Sequence, residues 1–182
     1  MTAASPAGPD DVTGMRVGAE IVVTAAPGVV WDLLADITNV GNWSPECIHT
    51  GWLDGEHDAR PGVRFSGRNR AQGGFEWTVT CVITEASRPW TLAWVVLDDE
   101  DRTQTVDDPS SHWRYGLEPA PGGATLVRHS FVHGPGDSGL RWMIRRYPER
   151  AAGIIADRRL MLLANMRHGL SAMKAVAEGQ HA

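Results

Sequence analysis

The order of the apolar patterns along the chain constrains its fold more than any other feature. A strand pattern at residues 17–25 precedes two short helical segments, and five or six further strand patterns lead to a helical segment at residues 150–178. Turn signals between the strands favour antiparallel pairing, and a long amphipathic helix has to bury its apolar side. The order predicts an α+β fold: a curved antiparallel sheet of six to seven strands wrapped around a long C-terminal helix, with two short helices after the first strand.

One strand pattern has a strict two-residue period, in which apolar side chains alternate with polar ones at residues 75–84. Because successive side chains of a strand point to opposite faces, one face of this sheet is predicted to be apolar and the other to meet water. The same parity predicts the inward side chains of the sheet: Phe75, Trp77, Val79, Cys81, Ile83, Val63, Phe65, Gly67, Asn69, Leu92, Trp94, Val96, Trp113, Tyr115, Leu117, Val127, His129 and Phe131.

Proline and capping signals predict the helix limits. Pro27 suits the first turn of a helix that ends near Asp36, and Asp36 can cap a second short helix. Residues 139–147 are predicted to form a separate helical turn, because Pro148 disfavours helical backbone at the preceding residue. The long helix is predicted to begin after Pro148 and to lie across the concave face of the sheet. Its apolar stripe consists of Ile155, Leu162, Met166, Leu170, Met173 and Ala177.

Length and composition predict one domain at residues 16–179 after a disordered leader at residues 1–15. The 17 Lys and Arg residues are scattered and outnumbered by 22 Asp and Glu, which argues against a nucleic-acid partner. No window approaches the roughly 18 apolar residues of a membrane span, so no integral membrane contact is expected. Cys47 and Cys81 lack CxxC spacing and are predicted to be free, buried thiols, as expected of a cytoplasmic protein. The protein is expected to be a monomer or a homodimer.

Several local motifs together resemble one known family over roughly residues 17–178. These motifs are the strand-Pro-x-x-VW opening (21–31), WSPE (43–46), FxGxN (Phe65, Gly67, Asn69), WxxxC (Trp77, Cys81), WRYxLEP (113–119) and NMRxGLxAMKAVAE (165–178). The family is the polyketide cyclase/dehydrase and lipid-transport proteins of the START-like, birch-pollen-allergen-like superfamily. The resemblance implies a helix-grip fold that encloses a hydrophobic cavity. It also implies a ligand such as a lipid, hormone or polyketide, and in a minority of members aldol cyclisation and aromatisation.

Cyclisation of a poly-β-keto chain needs one group that polarises a carbonyl and a base that removes an α-proton. In the ring-forming relatives, an Arg on the strand matching residues 63–70 and aromatic residues of the helix-loop region are credited with positioning the substrate. The resemblance therefore implies Arg68, or Asn69 if the register differs by one, together with Trp43. Parity directs Arg68 outward and Asn69 inward.

His129 lies on the predicted inner face, where an imidazole could act as a base or anchor a ligand oxygen. The alternative is a buried histidine that hydrogen bonds to Tyr115 or to the backbone. The candidate catalytic residues are His129, Asn69, Tyr115 and Arg68. His133 shares the parity of His129, but strand positions four apart are separated by about 13 Å, which is too far for both to bind one metal ion. No metal site is predicted, and no cofactor is predicted either.

Aromatic and flexible side chains supply the candidate ligand wall. Large rings also fill sheet-helix cores, so core packing is the alternative for each, and Trp31 in the first helix is predicted to be core. The candidate ligand-binding residues are Trp43, Phe65, Asn69, Trp77, Trp94, Trp113, Phe131 and Met166.

Three functions are compatible with these patterns. A carrier or sensor of a small apolar molecule needs only a cavity, and it is favoured because no complete catalytic set is visible. A polyketide cyclase or dehydratase requires that His129, Asn69 and Tyr115 converge on one point. A partner-binding or stress-response module predicts a filled interior and an apolar outer patch near residues 140–147.

Overall fold

The computed structural model describes residues 12–98 and 103–179. Within these ranges seven strands form one antiparallel sheet with the spatial order β1-β7-β6-β5-β4-β3-β2. The strands are β1 (Arg16–Val23), β2 (Cys47–Trp52), β3 (Arg64–Arg70), β4 (Glu76–Ser87), β5 (Thr91–Asp98), β6 (Ser111–Ala120) and β7 (Ala124–His133). The first two strands along the chain therefore lie at opposite edges, and β5 is the central strand.

Four helices accompany the sheet in the described part of the chain. They are α1 (Pro27–Ala35), α2 (Val40–Trp43), α3 (Gly139–Arg146) and α4 (Ala151–Ala177), with short 3-10 turns before α2 and α4. Asp36 accepts a hydrogen bond from the Thr38 amide, as its predicted capping role requires. The 27-residue α4 is about 40 Å long and packs on the concave side of the sheet. The predicted curved sheet around a long C-terminal helix is confirmed.

The predicted strand parity holds for the inner face with one exception. Phe75 was placed inward, but it precedes β4 and its side chain is 68% exposed. The alternation of apolar and polar residues includes Phe75, so the sequence pattern does not show that the strand begins only at Glu76. A register shift between Ile83 and Glu85 then lets β4 continue to Ser87.

The tightest packing lies at one end of the inner face, which we call the packed end. Here Leu92, Leu117 and Val127 are buried against side chains from α1 and from the C-terminal half of α4. Trp31 is part of this core, as predicted. Aliphatic side chains that meet a helix at this density contribute the bulk of the apolar burial that stabilises the fold.

The domain begins earlier than predicted. Residues 1–11 of the predicted leader lie outside the described residues, but Val12 and Met15 are buried. Val12 packs with Ile144 of α3 and Ala151 of α4, while Met15 belongs to a cluster around Phe131. Because Val12 and Met15 are buried, the predicted limit at residue 16 is too late. Two isolated apolar side chains have no periodic pattern, so this contact had no signal in the sequence.

Polar contacts hold α4 at both edges of the sheet. Near its C-terminal end, Lys174 Nζ donates to the Val22 carbonyl of β1 at 2.6 Å. In its N-terminal half, Arg158 Nη1 lies 3.0 Å from both carboxylate oxygens of Glu46, and Asn165 donates to Glu46 at 3.2 Å. Glu46 directly precedes β2, so α4 has polar contacts with both edges of the sheet.

Both cysteines are free thiols. Cys81 is buried as predicted, whereas Cys47 is only partly buried, because it stands at the start of edge strand β2. Loss of hydration around its Sγ atom raises the pKa of Cys47 to about 11, so this thiol stays protonated at neutral pH.

None of the described helices is long and apolar enough to cross a bilayer.

Candidate functional site

An aromatic row runs across the inner face of the sheet. Trp94 and Trp113 are direct cross-strand partners whose rings are nearly parallel, with an interplanar angle of 4° and 6.2 Å between ring centroids. Trp113 in turn meets the edge of Phe131, its partner on β7, at 4.9 Å. Cross-strand pairing brings such side chains into contact because facing Cβ atoms are only about 5 Å apart. The members of the aromatic row are Trp52, Phe65, Trp94, Trp113, Tyr115, His129 and Phe131.

His129 and Tyr115 form the polar part of this row. They are register partners on β7 and β6, and their rings stack with 4.1 Å between centroids and an angle of 18°. The His129 Nε2 atom is buried and has no hydrogen-bond partner among the described residues. The predicted alternative, a histidine satisfied by Tyr115 or by the backbone, therefore does not describe the pair, which makes a ring stack instead.

Loss of hydration keeps both groups uncharged. It lowers the pKa of His129 from 6.5 to about 3 and raises the pKa of the Tyr115 hydroxyl well above its ordinary value. Burial disfavours the charged form of each group, which is cationic for histidine and anionic for tyrosine. At neutral pH the pair consists of a neutral imidazole and an intact phenol, and both can take part in hydrogen bonds.

Partly buried side chains next to this pair indicate open space on the inner face. Beyond the packed end, the inward side chains of Val79, Trp94, Val96, Trp113 and His129 are partly exposed, although they lie on the face that α4 covers. A side chain on a helix-covered face keeps accessible surface only where the helix does not fill the volume above it. The middle of the inner face is therefore incompletely packed.

Met166 and Phe131 close one side of this space. Met166 of α4 is buried in a cluster with Phe131, Leu162 and Met15, and Trp113 packs against the same cluster. Both predicted ligand-binding residues thus belong to the packed boundary of the space. The unbranched side chain of Met166 can change its rotamer at little cost, which would alter the width of the space.

Two predicted polar residues are far from the His129–Tyr115 pair. Through the strand register, Asn69 on β3 lies roughly eight residues along the strand direction from the pair, which is about 26 Å, and it is three strands away from β6. Arg68 is exposed on the convex face, 3.9 Å from Glu76. His129, Asn69 and Tyr115 therefore do not converge on one point, which the cyclase hypothesis requires, and Arg68 lies on the outer face as its parity predicts.

Three aromatic candidates occupy other places. Trp43 is buried in the core, where its carbonyl would be 3.5 Å from a Cβ atom added at Gly169 of α4. Phe65 is also buried, with edge contacts to neighbouring rings of the row. Trp77 is partly exposed at the far end of the sheet, stacked on Phe75 with 6.0 Å between centroids. Trp43 and Phe65 are core residues, whereas Trp77 lies at the rim.

Two features of the inner face have no counterpart among the predicted site residues: the contact of Glu46 with Arg158 and Asn165, and the place of Trp52 in the aromatic row. Arg158 and Asn165 are seven residues apart and so share one side of α4, which is a signal that could have paired them. Nothing local indicated that Glu46 would be their acceptor, because 112 residues separate it from Arg158.

His133 has a partner within hydrogen-bond distance of each ring nitrogen. The two ring nitrogens of His133 lie 2.8 Å from the Gly134 carbonyl oxygen and 3.0 Å from Ser138 Oγ. Over residues 12–98 and 103–179, no three His, Cys, Asp or Glu side chains cluster in a way that could hold a metal ion.

Shallow depressions also exist on the convex face, around Arg114, Arg128 and Glu118. Arg128 is paired with Glu118 and Arg114 with Glu85, and all four side chains are well exposed. Charges that already neutralise one another on an open surface provide little for a ligand. We therefore place the candidate site on the concave face.

Solved structures share this architecture. The solution NMR structure of the Polyketide_cyc-like protein Cgl2372 from Corynebacterium glutamicum is 24% identical, with a TM-score of 0.62 over 91% of this chain and 93% of that chain. The crystal structure of the di-domain ARO/CYC StfQ from the steffimycin biosynthetic pathway is 15% identical, with a TM-score of 0.66 over 92% of this chain and 52% of StfQ. Ara h 8.0201 is 14% identical, with a TM-score of 0.53 over 90% of this chain and 97% of that chain. These likenesses show the helix-grip fold.

No curated protein has significant sequence similarity to the chain. The family model described as polyketide cyclase/dehydrase and lipid transport matches residues 15–178, which include nearly the whole described structure. The chain therefore belongs to the polyketide cyclase/dehydrase and lipid transport family.

Proposed function

We propose that the protein binds a small apolar ligand in the space between the aromatic row and α4. One observation carries this proposal: Val79, Trp94, Val96, Trp113 and His129, which share the inner face of the sheet, are only partly buried. Apolar surface that stays hydrated inside a fold is a source of binding free energy when a ligand covers it. The packed end and the cluster around Met166 bound the space on two sides.

The composition of the inner face supports an apolar rather than an ionic ligand. Between residues 92–96, 113–117 and 127–131, the inward side chains are aliphatic or aromatic except for the neutral His129 and Tyr115. The arginines of these strands, Arg114 and Arg128, lie on the convex face in ion pairs. A ligand with a full charge would therefore lose its hydration without gaining a counter-charge.

Aromatase or cyclase chemistry is a second candidate, favoured by the stacked pair of His129 and Tyr115 and by the likeness to StfQ, which is described as an ARO/CYC protein. However, a general base works best with a pKa near the working pH, and the pKa of His129 is lowered to about 3. Asn69 and Arg68 are also too distant to complete a catalytic set. Ligand binding is therefore the better supported function.

Native mass spectrometry of the gently purified protein, followed by denaturing extraction, is the direct test of ligand binding. We expect a stoichiometric small apolar molecule, or a ligand-free protein that binds the uncharged fluorescent probe N-phenyl-1-naphthylamine with saturation at one site. Trp113→Leu should weaken binding of the probe, because Trp113 borders the open space. The matched control is Trp90→Leu, since Trp90 is 45% exposed and precedes β5 outside the aromatic row.

Two results would contradict the proposal. One is a protein that carries no adduct and does not bind the probe. The other is equal loss of probe affinity in Trp113→Leu and Trp90→Leu, which would indicate that the probe binds to the outer surface.

A further inference from the structure

Two neighbouring polar groups on the inner face lack partners. The His129 Nε2 atom is buried without a hydrogen bond, and the Tyr115 hydroxyl makes none within the described residues. Buried polar atoms in folded proteins are nearly always satisfied by protein, water or a ligand. A buried nitrogen without a partner, in a residue that is itself only partly buried, therefore indicates a group that gains its partner when a ligand fills the site.

The chemistry of the two groups defines what can satisfy both. A neutral imidazole offers one nitrogen as an acceptor and the other as a donor, and a tyrosine hydroxyl can donate and accept. The rings of His129 and Tyr115 stack at 4.1 Å on adjacent strands, so both side chains are within reach of one small ligand group. One hydroxyl group can donate to the imidazole and accept from the phenol at the same time.

The surroundings restrict the rest of the ligand. Trp94 and Trp113 present nearly parallel rings next to the pair, which suits a flat aromatic body in offset or edge contact. A carboxylate would need a cation or several donors, and the inward side chains at residues 92–96, 113–117 and 127–131 supply no cation.

We infer that His129 and Tyr115 form a polar recognition pair that selects an uncharged aromatic ligand bearing a hydroxyl group, and that discriminates against carboxylates. This inference rests on the proposed ligand-binding function and names the ligand class of that site. His129 accepts the ligand hydroxyl proton in a hydrogen bond, Tyr115 donates to the ligand oxygen, and no proton is transferred.

Three probes of the same ring size test this inference: naphthalene, 1-naphthol and 1-naphthoate. Affinities are measured at pH 7.5 by quenching of tryptophan fluorescence and by calorimetry. A pair of hydrogen bonds to otherwise unsatisfied groups should make 1-naphthol bind about tenfold tighter than naphthalene. 1-Naphthoate should bind more weakly than either.

The substitutions His129→Phe and Tyr115→Phe keep an aromatic ring in each position and remove the polar atoms. Each should reduce the preference for 1-naphthol over naphthalene to about twofold. The controls are Tyr147→Phe, at the only other tyrosine, and His112→Phe, an exposed histidine on the convex face of β6. Both controls should keep the full preference.

The outcomes separate this inference from the function on which it rests. If naphthalene and 1-naphthol bind equally well, or if the preference persists in both His129→Phe and Tyr115→Phe, the recognition pair is refuted while ligand binding stands. If 1-naphthoate binds tightest, the discrimination against carboxylates is refuted. If none of the three probes binds, the proposed function fails, and the inference fails with it.

Discussion

Replacing His129 by phenylalanine is expected to stabilise the ligand-free protein. The substitution keeps a flat ring against Tyr115 and removes the Nε2 atom that is buried without a partner. A buried polar atom without a hydrogen bond costs about 1–3 kcal/mol. The phenylalanine ring is larger than the imidazole, and overpacking offsets part of this stabilisation. We therefore expect the free energy of unfolding to rise by about 1–2 kcal/mol at pH 7.5.

This gain is expected to grow as the pH falls. Lost hydration lowers the pKa of His129 from 6.5 to about 3, so the unfolded chain binds a proton below pH 6.5 that the folded chain does not bind until about pH 3. In that window the wild type loses stability as the pH falls, by about 1.4 kcal/mol per pH unit. Between pH 7.5 and pH 5 the loss through His129 is about 2 kcal/mol, and His129→Phe should lack it.

His133 provides a matched control on the same strand and the same face. Both of its ring nitrogens are within hydrogen-bond distance of a partner, the Gly134 carbonyl oxygen at 2.8 Å and Ser138 Oγ at 3.0 Å. Removing them leaves buried groups unsatisfied, so His133→Phe should lose about 1–3 kcal/mol. The same substitution is thus expected to have opposite signs at two positions four residues apart.

Urea denaturation followed by far-UV circular dichroism, at pH 7.5 and pH 5, measures both effects. Tryptophan fluorescence is less suitable, because the Trp113 ring lies 5.2 Å from His129 and would report the substitution itself. A companion variant, His129→Leu, separates the lost nitrogen from any overpacking by phenylalanine. The reasoning is refuted if both His129 variants are less stable than wild type at pH 7.5, or if they lose as much stability as wild type between pH 7.5 and pH 5.

Three further substitutions test the placement of individual side chains. Glu46→Gln weakens the partly buried ion pair with Arg158 and should lower the free energy of unfolding by about 1 kcal/mol in urea, whereas an unchanged midpoint would contradict this role. Arg68→Gln, on the convex face, should change stability by less than about 0.5 kcal/mol and leave probe affinity unaltered, and weaker probe binding would show the assignment to be wrong. Phe65→Ala should cost about 3–5 kcal/mol in the same denaturation assay, while Trp77→Ala should cost less than half as much, and equal losses would contradict the rim position of Trp77.

The fold could be predicted because its signals are local and periodic. The two-residue alternation of Trp77, Val79 and Cys81 indicates which side chains face inward, and this signal does not depend on contacts with distant parts of the chain. Pro27 and Pro148 mark helix starts through the fixed geometry of proline, so the limits of α1 and α4 were predicted closely. Parity also placed Arg68 outward and Asn69 inward.

The candidate site depends on contacts between distant parts of the chain, and these left no periodic signal. Trp43, from the helix-loop region, and Trp94, from the parity of its strand, were both candidate ligand-binding residues, but only the position of α4 makes Trp43 core and leaves Trp94 partly exposed. Parity likewise placed Asn69 and His129 on one face, yet it carries no information on the distance between them across the sheet. Whether the nitrogen of His129 finds a partner also depends on neighbours from other strands and from α4.

The way in which α4 is held explains where the open space lies. The helix is attached at the edge strands, through Lys174 to the Val22 carbonyl of β1 and through Arg158 to Glu46 beside β2. A curved sheet recedes furthest from a straight helix at its central strand, and β5 is central in the strand order. The inward side chains of β5 past the packed end, Trp94 and Val96, are accordingly among those that keep exposed surface. The space inferred over β5 thus lies beside a helix that makes polar contacts with both edges of the sheet. Its depth over β5 should therefore respond to substitutions at either attachment, whereas its polar character depends on the adjoining pair on β6 and β7.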